Sequence, residues 1–102
     1  MIVARIERAL HRKRIYNVSK SDMDIIARLL IKMASYKNNW NNSSQYDKYN
    51  NIDKGYIGST ENFANLAINS YANFPSFLVK IKRDYGLDRK SLVSLLVESF
   101  DY

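Results

Sequence analysis

The sequence predicts an all-α protein: one domain holding two similar helix-turn-helix motifs, αα-hairpins that form an internal repeat, joined by a long Asn-rich loop. Three observations carry this. Apolar residues recur at three- and four-residue spacing over most of the chain. The stretch around Tyr16 is echoed around Tyr85, and both copies combine a helix stop with a helix start. Between them, residues 38–59 crowd Asn and Ser and lose the periodicity. The expected layout is a first repeat over about 6–37, the loop over 38–59, a connecting helix over 60–73 and a second repeat over about 75–102. At 102 residues and 46% hydrophobic content, the chain is large enough for one small core.

The two copies read Lys13-Arg14-Ile15-Tyr16-Asn17-Val18-Ser19 and Lys82-Arg83-Asp84-Tyr85-Gly86-Leu87-Asp88. Asn17 and Gly86 tolerate the left-handed backbone that ends a helix. Ser19 and Asp88 carry a side-chain oxygen suited to a helix N-cap. Val18 with Met23, and Leu87 with Leu92, have hydrophobic-staple spacing. Ser19 and Asp22 approximate a capping box, with Asp in place of Glu.

Residues 2–15 read as an amphipathic helix with Ile2, Ile6, Ala9 and Leu10 inward and a stripe of Arg5, Arg8 and Arg12 roughly opposite. Residues 20–37 form the strongest helical pattern. Met23, Ile26, Ala27, Leu30, Met33 and Ala34 make one face, widened by Ile25, Leu29, Ile31 and Tyr36, so this helix needs cover on several sides. In the Asn-rich loop, Trp40, Tyr46, Tyr49 and Tyr56 are aromatics that a disordered linker rarely carries, and a short hairpin around Asp53-Lys54-Gly55 fits the sequence. Ser59 or Thr60 caps the helix of 60–73, whose inward residues are Phe63, Leu66, Ala67 and Tyr71. Pro75 suits a helix start. Phe77, Leu78, Ile81 and Tyr85 continue that helix to Gly86. Leu92, Leu95, Leu96 and Phe100 face inward in the last one.

The net charge of +6 is localised. Residues 1–37 hold nine Lys or Arg against three acids, whereas residues 38–102 hold seven of each sign. Such a region can attract nucleic acid or an acidic partner. The chain has no Cys, which excludes disulfides and thiolate metal sites. His11, the one imidazole, lies among Arg and Lys. No Gly-rich phosphate loop occurs, and no helical cluster of acids offers metal ligands. A non-enzymatic protein is therefore expected, with no catalytic site, no metal and no cofactor. No apolar run reaches the roughly 20 residues of a membrane span. The N-terminal stretch lacks a signal-peptide core, so a cytoplasmic location without membrane contact is expected.

Two binding functions follow. The favoured one is a protein- or peptide-interaction module, with a groove between the repeated motifs lined by Tyr16, Tyr36, Trp40, Tyr71 and Tyr85. The broad apolar arc of residues 20–37 also suits a homodimer. The alternative is nucleic-acid binding through Arg5, Arg8, Arg12, Lys13, Arg14 and Lys20. The Lys13-Arg14 and Lys82-Arg83 pairs argue little for it, because basic residues are expected at helix C-termini.

Residues Tyr85–Val93 resemble the turn and second helix of ribbon-helix-helix DNA-binding proteins, although that family needs a strand before its first helix. In its length, its lack of Cys, its richness in Tyr, Asn and Ile, and its repeated Lys-Arg-x-Tyr element, the whole chain resembles the small orphan proteins of archaeal filamentous viruses. That resemblance implies a virus-encoded, non-enzymatic protein in the host-cell cytoplasm.

Overall fold

The computed structural model describes residues 2–42 and 59–100. Among these residues the chain is all-α, with five helices and no strand: α1 (Ile2–Arg12), α2 (Lys20–Asn41), α3 (Thr60–Asn69), α4 (Phe74–Tyr85) and α5 (Arg89–Phe100). The expected hairpin around Asp53, and Tyr46, Tyr49 and Tyr56 with it, lie outside the described residues.

The helix starts follow the sequence closely. Ser19 accepts a bond from the Asp22 N–H, Ser59 from the Asn62 N–H, and Asp88 from the Ser91 N–H at 2.8 Å. Pro75 sits in the first turn of α4, where its missing N–H has no intrahelical partner to lose. At the other end of α4, Gly86 turns left-handed at φ 73°, and its N–H closes onto the last carbonyls.

The helix stops differ from expectation in three places. α1 was expected to run to residue 15 but ends at Arg12. There the Arg14 N–H bonds the His11 carbonyl and the Ile15 N–H bonds the Leu10 carbonyl, with Arg14 left-handed at φ 61°. This is a Schellman turn built on an arginine. It brings Ile15 back onto the core beside its own helix. Asn17 is also left-handed, at φ 63°, but in the connecting link rather than at a helix end. The two segments expected to be copies of a repeat both have a capping residue preceded by an apolar one, while the helix ends before them differ.

α2 continues four residues past its expected end, to Asn41. Trp40 packs against the core, and the Asn42 side-chain amide bonds the Asn38 side chain. Tertiary packing here overrides the weak helix propensity of Asn. α3, in contrast, stops at Asn69 instead of 73. The Ser70 hydroxyl takes the Ala67 carbonyl, and Tyr71 leaves the helix to meet the Phe77 ring edge at 6.4 Å.

α2 is the central helix, packed against α1, α3 and α5. Its buried residues Met23, Ile26, Leu29, Leu30 and Met33 meet Ile6, Ala9 and Leu10 of α1, Phe63, Ala64, Ala67 and Ile68 of α3, and Leu92, Leu95 and Leu96 of α5 in one core. The apolar arc that looked too broad for one neighbour is thus shared by three. Ile31 is the large apolar side chain of α2 left exposed. α4 has the sparsest backbone packing. Buried Phe74, Phe77 and Ile81 attach it, together with Leu87 just beyond its end. No helix among the described residues is long and apolar enough to cross a membrane.

Candidate functional site

The most connected polar cluster lies between the start of α2 and the end of α4. Asp22 is only 2% exposed. Its Oδ2 accepts from Lys80 Nζ and from the Tyr85 hydroxyl, both at 2.6 Å. The Tyr85 oxygen in turn accepts the Ser19 N–H at 3.0 Å. The anticipated capping box is therefore half made: Ser19 caps the Asp22 N–H, while Tyr85 serves the Ser19 N–H in place of the Asp22 carboxylate. Burial works to raise the Asp22 carboxyl, but the bonds from Lys80, Tyr85 and Ser19 outweigh it and hold it below the usual Asp range. Lys80 is held above its ordinary value, chiefly by the bond to Asp22. These bonds join Lys80 and Tyr85 of α4 to Asp22 and Ser19 at the start of α2, so the cluster latches α4 onto α2. Among the described residues no buried side-chain polar atom lacks a partner.

The aromatic residues expected to line one groove are dispersed. Tyr16 is 57% exposed and packs at a tilt against His11 with ring centroids 5.1 Å apart. It lines a small cleft with Glu7 and Asn17. Tyr71 lines a different cleft, between α2 and α3, with Arg28 and Lys32. Tyr36 lies under the Lys32 ammonium at 5.9 Å, Trp40 packs on the core, and Tyr85 belongs to the latch. Among the described residues these five side chains do not line one common cleft.

The basic residues are also unequal. Arg12 is ion-paired with Glu98 of α5, Arg5 and Lys13 are half-buried, and Arg14 supplies the left-handed turn. Arg8 and Lys20 are exposed, on α1 and on the first turn of α2. Lys82 is exposed too, while Arg83 pairs with Asp84 at 3.0 Å.

Among the described residues an open groove of about 850 Å³ lies between α3 and α5. Its construction starts with Arg89, whose guanidinium bonds the Asn65 and Asn69 side chains of α3, each at 3.1 Å, and lies 5.8 Å from the Phe74 ring centre. This ties the start of α5 to the later part of α3, so the two helices run antiparallel. Val93 and Val97, one turn apart on α5, form a half-exposed apolar floor, with Ser94 beside them. Arg89 and Lys90 make one end basic, and Glu61 and Glu98 make the other end acidic. Sequence reasoning passed over this groove. Val93 and Val97 do have i, i+4 spacing, but nothing in the sequence alone says that α3 lies alongside α5. Among the described residues no three His, Asp or Glu side chains gather as metal ligands.

A scan of protein-family models, a search of curated proteins and a search of solved structures each find no match to this chain.

Proposed function

We propose that the chain is a protein- or peptide-interaction module that seats an apolar, charge-flanked segment in the α3–α5 groove. The carrying observation is the groove itself: two valines one turn apart on a packed helix, bracketed by a basic and an acidic end. Apolar floors with a charged rim suit segments that bring a few apolar anchors. The test is selection from a displayed peptide library, followed by calorimetric binding to the wild-type chain and to Val93→Asp. Selected peptides should carry apolar residues at helical or alternating spacing, and Val93→Asp should weaken them by at least about tenfold. Failure to select any peptide, or binding indifferent to Val93→Asp, rejects the groove.

The second reading is nucleic-acid binding through α1, supported by the concentration of net positive charge in residues 1–37. Arg8, Arg12, Arg14 and Lys20 are the exposed cations of that set, and Arg12 also pairs with Glu98. A salt series with a DNA duplex and an RNA oligomer tests it. Affinity should fall by several log units with salt, and the fall should shrink when Arg5, Arg8 and Arg12 are together replaced by Ala.

A further inference from the structure

We propose that the occupant of the α3–α5 groove is α5 of a second copy of this chain, packed antiparallel about a two-fold axis. The inference rests on reading that groove as an interaction surface, and two observations carry it further.

The first is the order of charges. Along α5 the groove runs from Lys90, through Val93, Ser94 and Val97, to Glu98, with Glu61 of α3 at the acidic end. From Lys90 to Glu98 is about 12 Å of helix. A second α5 laid antiparallel about an axis at Ser94 brings its Lys90 over Glu98 and Glu61, and its Val93 then falls between Val93 and Val97 of the first copy, about 3 Å along the axis from each, so that the valines interleave. The two-fold axis repeats each contact, as an isologous interface requires. Ser94, small and exposed near the middle, lets the helices approach to the roughly 8–10 Å typical of packed pairs. A foreign segment must match this order of charges independently, whereas a second copy carries it by construction.

The second observation is that, beyond its acidic N-cap Asp88, the charges within α5 oppose its own dipole. It has no acid in its first turn and no base in its last. Arg89 and Lys90 stand at the positive N-terminal end and Glu98 near the negative C-terminal end, an arrangement that weakens an isolated helix. Within the described chain Arg89 is answered by Asn65 and Asn69, and Glu98 by Arg12. Lys90 is exposed and makes no ion pair among the described residues. The Glu98 side chain keeps 36% of its surface open, and a carboxylate accepts several bonds. An antiparallel neighbour supplies a contacting carboxylate to Lys90, which otherwise has only the field of Asp88 beside it, and sets the two helix dipoles in opposition.

The experiment is sedimentation equilibrium of the full chain up to roughly 0.5 mM, where a dimer with a Kd near 100 µM is mostly formed. Wild type should dimerise. Lys90→Glu should weaken the dimer by about tenfold, since two symmetry-related contacts reverse. Glu61→Lys combined with Glu98→Lys should weaken it likewise, with circular dichroism confirming that each variant folds. Glu61→Lys alone stands in if the double variant does not. The decisive step is mixing the Lys90→Glu chain with the Glu61→Lys, Glu98→Lys chain, which should restore association between unlike chains. A monomeric wild type, or mixing that restores nothing, overturns the second copy as occupant. If library peptides then still bind in a Val93-dependent way, the groove stands with a foreign occupant; if they do not, the groove reading falls separately.

Discussion

Replacing Tyr85 by Phe removes one oxygen and leaves the ring in place. That oxygen donates to Asp22 at 2.6 Å and accepts from the Ser19 N–H at 3.0 Å. A bond to a charged group contributes about 1.5–3 kcal/mol, and a neutral one about 0.5–1.5 kcal/mol. Water can reach exposed Ser19 and take over its N–H, but it cannot easily reach Asp22. The expected loss is therefore about 2 kcal/mol, or a Tm lowered by roughly 8–16 °C in a domain of this size. Tyr16→Phe is the control, because its hydroxyl stands on an exposed side chain outside the latch; it should change stability by less than about 0.5 kcal/mol. Urea and thermal denaturation followed by circular dichroism measure both. The pH dependence gives a second handle. Asp22 is held below its ordinary value in the folded chain, so its contribution is present above the unfolded carboxyl value of about 3.9 and is lost as pH falls through the lower folded value. The gap between wild type and Tyr85→Phe should therefore narrow below about pH 4. Equal stability of the two Tyr→Phe variants at pH 7, or a gap unchanged in acid, would refute the latch.

Other substitutions test neighbouring parts of the fold. Asp22→Asn keeps the shape but removes the charge, so it should lower stability at pH 7 and flatten the acid limb of the stability curve. Arg14→Gly should raise stability by about 1 kcal/mol, because glycine accepts the left-handed turn without the Cβ conflict, and the Tm measures it. Gly86→Ala should lower stability by about 1 kcal/mol through the backbone alone, since an added Cβ would meet nothing within 4 Å. Leu95→Ala, in the core between α5 and α2, should cost about 2–5 kcal/mol in urea denaturation.

What was legible in the sequence was local. The caps at Ser19, Ser59 and Asp88, the stop at Gly86 and most inward residues follow from side chains acting within a turn or on one helical face; Ala34, expected inward, is exposed, and Tyr71 lies beyond the end of α3. Features that depend on distant residues were not legible. Asp22, Lys80 and Tyr85 look separately like a cap residue, a surface base and an aromatic groove residue, and only the approach of α4 to α2 makes them one cluster. The stop at Arg14 was hidden because arginine rarely turns left-handed; the packing of Ile15 selects it. The extension of α2 through Asn38 and Asn39 was hidden because Trp40 anchors a stretch that propensity disfavours. The groove was missed because it belongs to the α3–α5 pair, while sequence periodicity describes one helix at a time.

The pairing of α1 with α5 also bears on how the chain is made. Arg12 and Glu98 lie 86 residues apart. At about 5–20 residues per second, the ribosome takes roughly 4–17 s to supply the helix that covers the flank of α1. During that interval Ile6, Ala9 and Leu10 have α2 for cover but not α5. Arg5, Arg8 and Arg12 stand beside this waiting apolar stripe, and like charges on neighbouring nascent chains repel. Charge beside an uncovered apolar stripe disfavours contact between like chains, and Arg12 finds its ion-pair partner only once Glu98 has been made.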